Sequence, residues 1–494
     1  MQPHCRGLLA PTRRRQTRRQ RCCGPTDRGI PCRFDCELWP ASFDNVAHRR
    51  GKHRCLRRGH ILFGGGAMNI GGWDTTSVLD IAQVNAQLAA RLSSLLMSFD
   101  TTVLDGFAGN FDAKGSFGPW SIAGGSGTDV YVKLPIAAGT LTPKGASAPT
   151  TNLSGMVIEL EINLGWIPSQ VTSGADNLSF DLQHVTPPGA TRDKGGIFVR
   201  SVTDPSSTGF GGEVGSAVAN ALLANKDKIT FIFAQTGVVD TQTATWLLPK
   251  QSIYSFHAPD GSAGGCLAIL STVTNRDISR LNANIDAGII DPAYPLAFVI
   301  SGDLFLEHII MPALPGAFPN TGAGTFRFGG GQITLTRAFD MPSILEGAID
   351  YTPNVQALSI GINANALKSS ASGTCGLHLP NAYLDFSASS NNVLVFDAGS
   401  HAFTLLKDPN PATKSESHVP WYDYLIGLGP LGAAVMAVVL AAVESGLGDS
   451  LSSSHLAGDL SALPSSGVRW PGLDQITVRK GALNDCFVLH ANVA

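Results

Sequence analysis

The stretch "LIGLGPLGAAVMAVVLAAV", residues 425–443, contains no charged side chain. It is either a membrane span or a helix inside a protein core, and that choice sets the fold. A span needs about 20 apolar residues to cross roughly 30 Å of hydrocarbon. Here Gly427, Gly429, Pro430 and Gly432 crowd the first third. Proline is tolerated in the first turn, so the helix is expected to begin near Pro430. From there to Gly446 is about 17 residues, roughly 26 Å at 1.5 Å each, which falls short of a span. No Lys or Arg lies between Lys414 and Arg469, so the basic flank that orients a span is missing. Trp421, Tyr422 and Tyr424 would suit a membrane interface and are the one feature favouring lipid. The expectation is a core helix and no transmembrane span. A helix apolar on every side must be enclosed by protein. Leu431, Val435, Met436, Val438, Val439, Leu440 and Val443 would each gain about 1.5–3 kcal/mol by leaving water.

What encloses it is legible upstream. In "GMVIELEINLGWI" (155–167), Met156, Ile158, Leu160, Ile162 and Leu164 face one way, and Glu159, Glu161 and Asn163 the other. One dry face and one wet face mark an antiparallel strand. "DVYVKLPI", "GGIFVRSV" and "KITFIFAQTGVV" read alike, and "EVGSAVANALLANKD" (213–227) between the last two reads as a helix. In "TTSVLDIAQVNAQLAARLSSLLMSF", Ile81, Val84, Leu88, Leu92, Leu95 and Phe99 recur at helical spacing. A helix is expected near 77–98, with Ser77 and Asp80 as a variant capping box. "AYPLAFVISGDLFLEHIIMPALPGAF" runs from a strand into a helix capped by Ser301, with Asp303 in its first turn and Pro312 and Pro315 limiting its length. Further strands follow residue 320, and "QITVRKGALNDCFVLHANV" closes the chain. The fold class is α+β: strongly curved antiparallel sheets wrapped around long apolar helices. Both halves place a helix after a run of strands, which suggests related modules.

Composition separates the first 67 residues from the rest. They hold 14 Arg and 1 Lys against 4 acids, whereas residues 68–494 hold 20 bases and 34 acids. Six of the nine cysteines, including Cys22, Cys23, Cys32, Cys36 and Cys55, precede residue 56. A basic nucleic-acid or membrane arm and a metal site are the functional readings of this stretch. The simpler expectation is a disordered or spurious extension outside the native reading frame, with translation starting at Met68. It has no apolar run of the kind a secretory signal needs. The remaining Cys266, Cys375 and Cys486 are too sparse for a disulfide framework.

From Met68 onward the chain resembles the P-47 and OrfX accessory proteins encoded beside some clostridial neurotoxins, a family of the tubular lipid-binding (TULIP) superfamily. "GGWDTTSVLDIAQVNAQL", "LLANKDKITFIFAQ", "WLLPKQSIYSFHAPDGSAGGCLAILS", "LAFVISGDLFLEHIIMPALPGAF" and "RWPGLDQITVRKGALNDCFVL" carry the resemblance, in family order, over about residues 69–494. It implies an elongated tube of sheet around helices, binding of lipid-like molecules and a role beside a protein toxin. It supplies no catalytic residues. On this reading residues 69–320 form a first TULIP-like module, and 321–494 a second module or the completion of one elongated domain. Trp73 and Asp74 match the family's opening pair, with Trp73 expected to pack and Asp74 to cap a helix.

No residue pattern points to catalysis or to a cofactor. Cys375 with His378 and Cys486 with His490 could supply four zinc ligands, but the pairs are over a hundred residues apart. Ser262 in "DGSAG" lacks the first glycine of a nucleophile elbow. "GFGGEVG" and "FRFGGGQ" lack dinucleotide or phosphate-loop spacing and read as turns. Glu159 and Glu161 read as a solvated face. The acidic balance after Met68 argues against nucleic acid as partner, and none is expected. The leading expectation is a non-enzymatic protein binding a lipid or other apolar small molecule. Its groove would be lined by Ile81, Val84, Leu88 and Leu95 on one helix and Val435, Val439 and Leu440 on another. The alternative is an interaction protein that associates with toxin-complex proteins without binding lipid. With no signal peptide, it is expected to be cytoplasmic when synthesised and released with a toxin complex.

Overall fold

Alternation of apolar and polar residues builds the first of the four sheets seen among the described residues, around the strand Val157–Pro168. The computed structural model describes residues 68–105, 109–144, 149–239, 244–257, 265–322, 324–397, 402–420, 429–453 and 463–493, within one compact unit, Gly64–Ala494. The expectations for residues 1–67, the aromatic group Trp421, Tyr422 and Tyr424, and Ser262 fall outside the described residues. Met156, Ile158, Leu160, Ile162 and Leu164 are all buried in the first core, as their period predicts. Their strand pairs antiparallel with Asp129–Pro143 on one edge and with Asp176–Asp181 and Gly196–Thr203 on the other. The sheets are mostly antiparallel, one of them strongly curled into a half-barrel, and helices are few.

The predicted 77–98 helix is corrected. Thr75–Asp80 is a strand, and helix α1 spans only Ile81–Ala90. "TTSV" pairs on both edges, with Cys266–Thr272 and with Leu296–Ile300, and these long-range ladders outweigh the local helical period. The cap is Asp80 alone, whose Oδ1 accepts from the Ala82 N–H at 2.6 Å. Ser77 instead sits in the strand and accepts from Trp470 Nε1 at 3.1 Å. Helix α2, Gly211–Ala224, forms where its pattern predicts and buries Val214, Val218 and Leu222 in the first core.

The strand Thr75–Asp80 belongs to a central six-stranded sheet. Its order is Gln251–His257, Cys266–Thr272, Thr75–Asp80, Leu296–Ile300, Cys486–Val493, Ile476–Asn484. The C-terminal strands thus lie beside those of the first half. Leu296–Ile300 is buried along its whole length and shows why: Ala297 and Val299 enter a small core with Trp73 and Ile289, Leu296 enters the first core, and Phe298 and Ile300 enter a second. Such a strand reads as a continuous apolar run because neither face meets water.

The second core joins an eight-stranded sheet to two helical rods. Ser301 Oγ accepts from the Leu304 N–H at 3.4 Å and opens the first rod, as predicted. It comprises α3 (Gly302–Phe305), a π-turn (Leu306–Ile310) and α4 (Met311–Ala317), with Pro315 inside. The second comprises α5 (Gly429–Ala441), a π-turn (Ala442–Gly446) and α6 (Leu447–Ser453). The rods cross closely: a Cβ on Gly316 would lie 2.4 Å from Ser450 Oγ, and one on Gly446 3.1 Å from Ala317 Cα. The expected stop at Gly446 is therefore corrected, because the helix continues through it. Pro430–Leu451, 22 residues, is long and apolar enough to cross a membrane.

Candidate functional site

Enclosure of the second rod is also less complete than its composition suggests. Leu431, Val435, Val439, Val443, Leu447 and Leu451 form a stripe buried in the second core. In a pure α-helix a stripe with i+4 spacing drifts about 40° per step, since 3.6 residues complete a turn. The wider π-turn at Ala442–Gly446 resets that drift and keeps Leu447 and Leu451 inward. Ala433, Ala437 and Ala441 face outward and are exposed, while Met436, Val438 and Leu440 are half-buried at the flanks. A helix apolar on every side is thus covered only on one. Small exposed alanines leave little apolar surface to hide.

A groove of about 600 Å³ runs along this uncovered side, between the helix and the strands Ala402–Leu405 and Ala412–His418. Met436, Leu440 and the alanines line it on the helix, and Leu405 and Thr413 on the strands. Its polar end holds Glu444, Asp449 and Lys407. Glu444 is only 7% exposed, and its Oε2 lies 3.6 Å from the Nζ of the exposed Lys407. Its Oε1 is buried without a hydrogen-bond partner. With Lys407 in water the contact is only loosely held, whereas a buried acceptor left unpaired costs about 1–3 kcal/mol.

The predicted lining residues divide between core and cavity. Ile81, Val84 and Leu88 are buried in the first core, and Val435 and Val439 in the second. Leu95 is buried in the first core as well, at the border of a crevice with Asn225 and Lys228, and Leu440 lines the groove. Sequence reading missed Met436 and Glu444 as groove residues. The signal was present, since Glu444 is the first charge after the chargeless run.

A second cavity, of about 420 Å³, lies on the outer face of the first sheet. Here the expected wet side is corrected: Glu161 is 5% exposed. The segment carrying Arg192 covers it, with Arg192 Nη1 3.1 Å from Oε2 but without hydrogen-bond alignment. Arg200 reaches the same carboxylate at 3.7 Å, donates to Glu159 at 2.6 Å and stacks 3.5 Å from the centre of the Tyr131 ring. Burial raises the Glu161 pKa, with Asp129 adding to the rise and the two arginines opposing it. The cluster clasps the covering segment to the sheet.

Trp73 and the cysteine–histidine pairs have local structural partners. Trp73 is buried and donates from Nε1 to Asn282 O at 2.8 Å. Asp74 caps no helix, which corrects the expectation: Oδ1 accepts from Arg276 at 2.7 Å and Oδ2 from the Val273 N–H at 2.8 Å. Cys486 donates to Met68 O, His490 Nε2 lies 3.1 Å from Ile289 O, and His378 Nε2 lies 2.8 Å from Asp350 O. Among the described residues no three His, Cys, Asp or Glu side chains gather as metal ligands.

The family profile described as "OrfX-like: Protein OrfX2/OrfX3/P47" matches residues 70–380. Protein P47 of Clostridium botulinum (strain Kyoto / Type A2) is 26% identical over 439 residues, covering 86% of this chain and 100% of that protein. The solved structure of P47 from Clostridium botulinum A2 is similar with a TM-score of 0.70 at 24% identity, over 86% of this chain and 98% of that one. P47 of Clostridium botulinum E1 gives 0.68 at 22% identity, over 86% and 100%.

Proposed function

The chain belongs to the OrfX-like family of Protein OrfX2/OrfX3/P47, and from that premise we propose that it is a non-enzymatic accessory protein of the toxin-cluster type. It holds an acyl chain or similar apolar ligand in the groove beside α5. The observation that carries this reading is the uncovered side of a long apolar helix, opening on about 600 Å³ of space lined by Met436, Leu440 and Leu405. That volume lies within the roughly 300–1,000 Å³ usual for small-molecule sites. The finer fold reading goes with it: sheets folded around apolar helices as a TULIP-like tube, with the α5 rod remaining part of the protein core. The protein is cytoplasmic at synthesis and leaves the cell with a toxin complex.

Organic extraction of the purified protein followed by lipid mass spectrometry tests the proposal, together with uptake of a fluorescent fatty acid. Co-purified lipid or saturable uptake is the expected result. Neither one appearing would sink it.

A second reading, association with toxin-complex proteins without lipid, draws support from the hairpin Ile344–Glu346 and Ile349–Tyr351. Its Leu345 and Ile349 are exposed. Pull-down with neighbouring gene products, repeated with Leu345→Glu, separates this reading from the first.

A further inference from the structure

The groove beside α5 is apolar along one stretch and acidic at its end, and this asymmetry bears on the head group of its ligand. The inference rests on the hydrophobic-ligand reading above. Met436, Ala437 and Leu440 offer a surface for one alkyl chain, and Glu444 and Asp449 stand at the far end. Lys407 is the only cation lining the groove among the described residues. It is 79% exposed and 3.6 Å from Glu444 Oε2, so it is held loosely. Glu444 Oε1, buried and unpartnered, is an acceptor awaiting a donor. Glu444 also lies in the π-turn of the rod, a kind of irregularity that recurs at functional sites.

We propose that the groove selects a single-chain amphiphile whose head is an ammonium group, seated on Glu444. An ammonium brings three N–H donors and no acceptor, which matches a carboxylate with a free oxygen. Charge assistance makes such hydrogen bonds about twice as strong as neutral ones. A carboxylate or phosphate head would instead meet two acids and one solvated lysine. Like charges brought together in a partly desolvated site cost affinity.

The test uses the purified full chain at neutral pH and the uncharged fluorescent reporter N-phenyl-1-naphthylamine. Dodecylammonium, dodecanol and dodecanoate, each below its micelle concentration, compete for the reporter. Dodecylammonium is expected to displace it at about tenfold lower concentration than dodecanoate, with dodecanol between. Glu444→Gln should bring the ammonium and carboxylate ligands to within about twofold of each other. Lys407→Gln, at an exposed position that leaves folding alone, should strengthen the ammonium ligand and weaken the carboxylate one. Ala437→Leu fills the groove from an exposed position and should weaken all three.

The possible failures are distinct. If the reporter and all three amphiphiles fail to bind, the hydrophobic-ligand reading itself falls. If all bind and dodecanoate binds as tightly as dodecylammonium, that reading stands and the head-group inference is overturned. Dodecylammonium binding that survives Ala437→Leu at undiminished affinity places the ligand elsewhere and overturns it too.

Discussion

The hydroxyl of Tyr254 accepts a hydrogen bond from the Leu164 N–H at 2.8 Å and donates one to Thr128 O at 2.7 Å. Tyr254 belongs to the central sheet and Leu164 to the first, so one phenol fastens the two sheets just before the strand Asp129–Pro143 begins. Tyr254→Phe leaves both backbone groups without this partner and is expected to destabilise the protein by about 1–3 kcal/mol. The shift in the urea unfolding midpoint measures it.

Burial also pushes the Tyr254 pKa from 10.0 up to about 12. The folded state then favours the protonated phenol. Its stabilising contribution is complete below pH 10 and declines as pH rises from 10 towards 12. Comparing unfolding of wild type and Tyr254→Phe across that window should show the difference between them shrinking. A constant difference would contradict the assignment.

His490 gives a slope on the acid side. Burial lowers its pKa from the ordinary 6.5, and its Nδ1 is buried without a partner. The neutral ring is therefore the folded form, and stability falls as pH drops below about 6.5 because the unfolded chain takes up the proton first. Asp291 and Lys480 are the charged groups acting on it. In His490→Gln the loss of stability between pH 6.5 and 5 should be smaller, as read by thermal melts at stepped pH.

Asp74 locks the start of the strand Thr75–Asp80 to the turn at Arg276. Asp74→Ala removes the charge-assisted bond from Arg276 and the acceptor for the Val273 N–H, at an expected cost of about 1–3 kcal/mol. Asp74→Asn keeps one acceptor and should recover part of the loss. Equal Tm values for all three proteins would show that the pair contributes nothing.

The close crossing of the helical rods predicts a sign that helix propensity alone would get wrong. Alanine normally stabilises a helix by about 1 kcal/mol over glycine. At Gly316 the added Cβ would meet both Oγ and Cβ of Ser450, at 2.4 and 3.0 Å, and Ser450 Oγ donates to Ala313 O at 2.7 Å. Overpacking costs about 1–3 kcal/mol, so Gly316→Ala should be neutral to destabilising. A clear gain in Tm would mean the rods separate more readily than their packing suggests.

Local pattern was a sound guide where a segment's own period matched its final neighbours. Val157–Pro168 alternates and is a strand with its apolar set inside; Gly211–Ala224 is a helix with its apolar stripe buried. The pattern misled where distant chain supplied the decisive contact. Ser77 and its neighbours became a strand because residues about 190 and 220 positions away pair with them, roughly one ladder bond per residue on each edge. Glu161 kept its place in the alternation, yet the segment bearing Arg192 folded over it and took it out of water.

By itself, the sequence determined the antiparallel strands, the Ser301 cap and the apolar character of residues 425–443, because periodicity and capping act within a few residues. Only the tertiary structure decided which side of that helix is covered, where Glu444 sits and how the C-terminal strands return beside Thr75–Asp80. Those outcomes depend on contacts between segments far apart in the chain, and an acid's burial is set by what folds over it rather than by its neighbours in sequence.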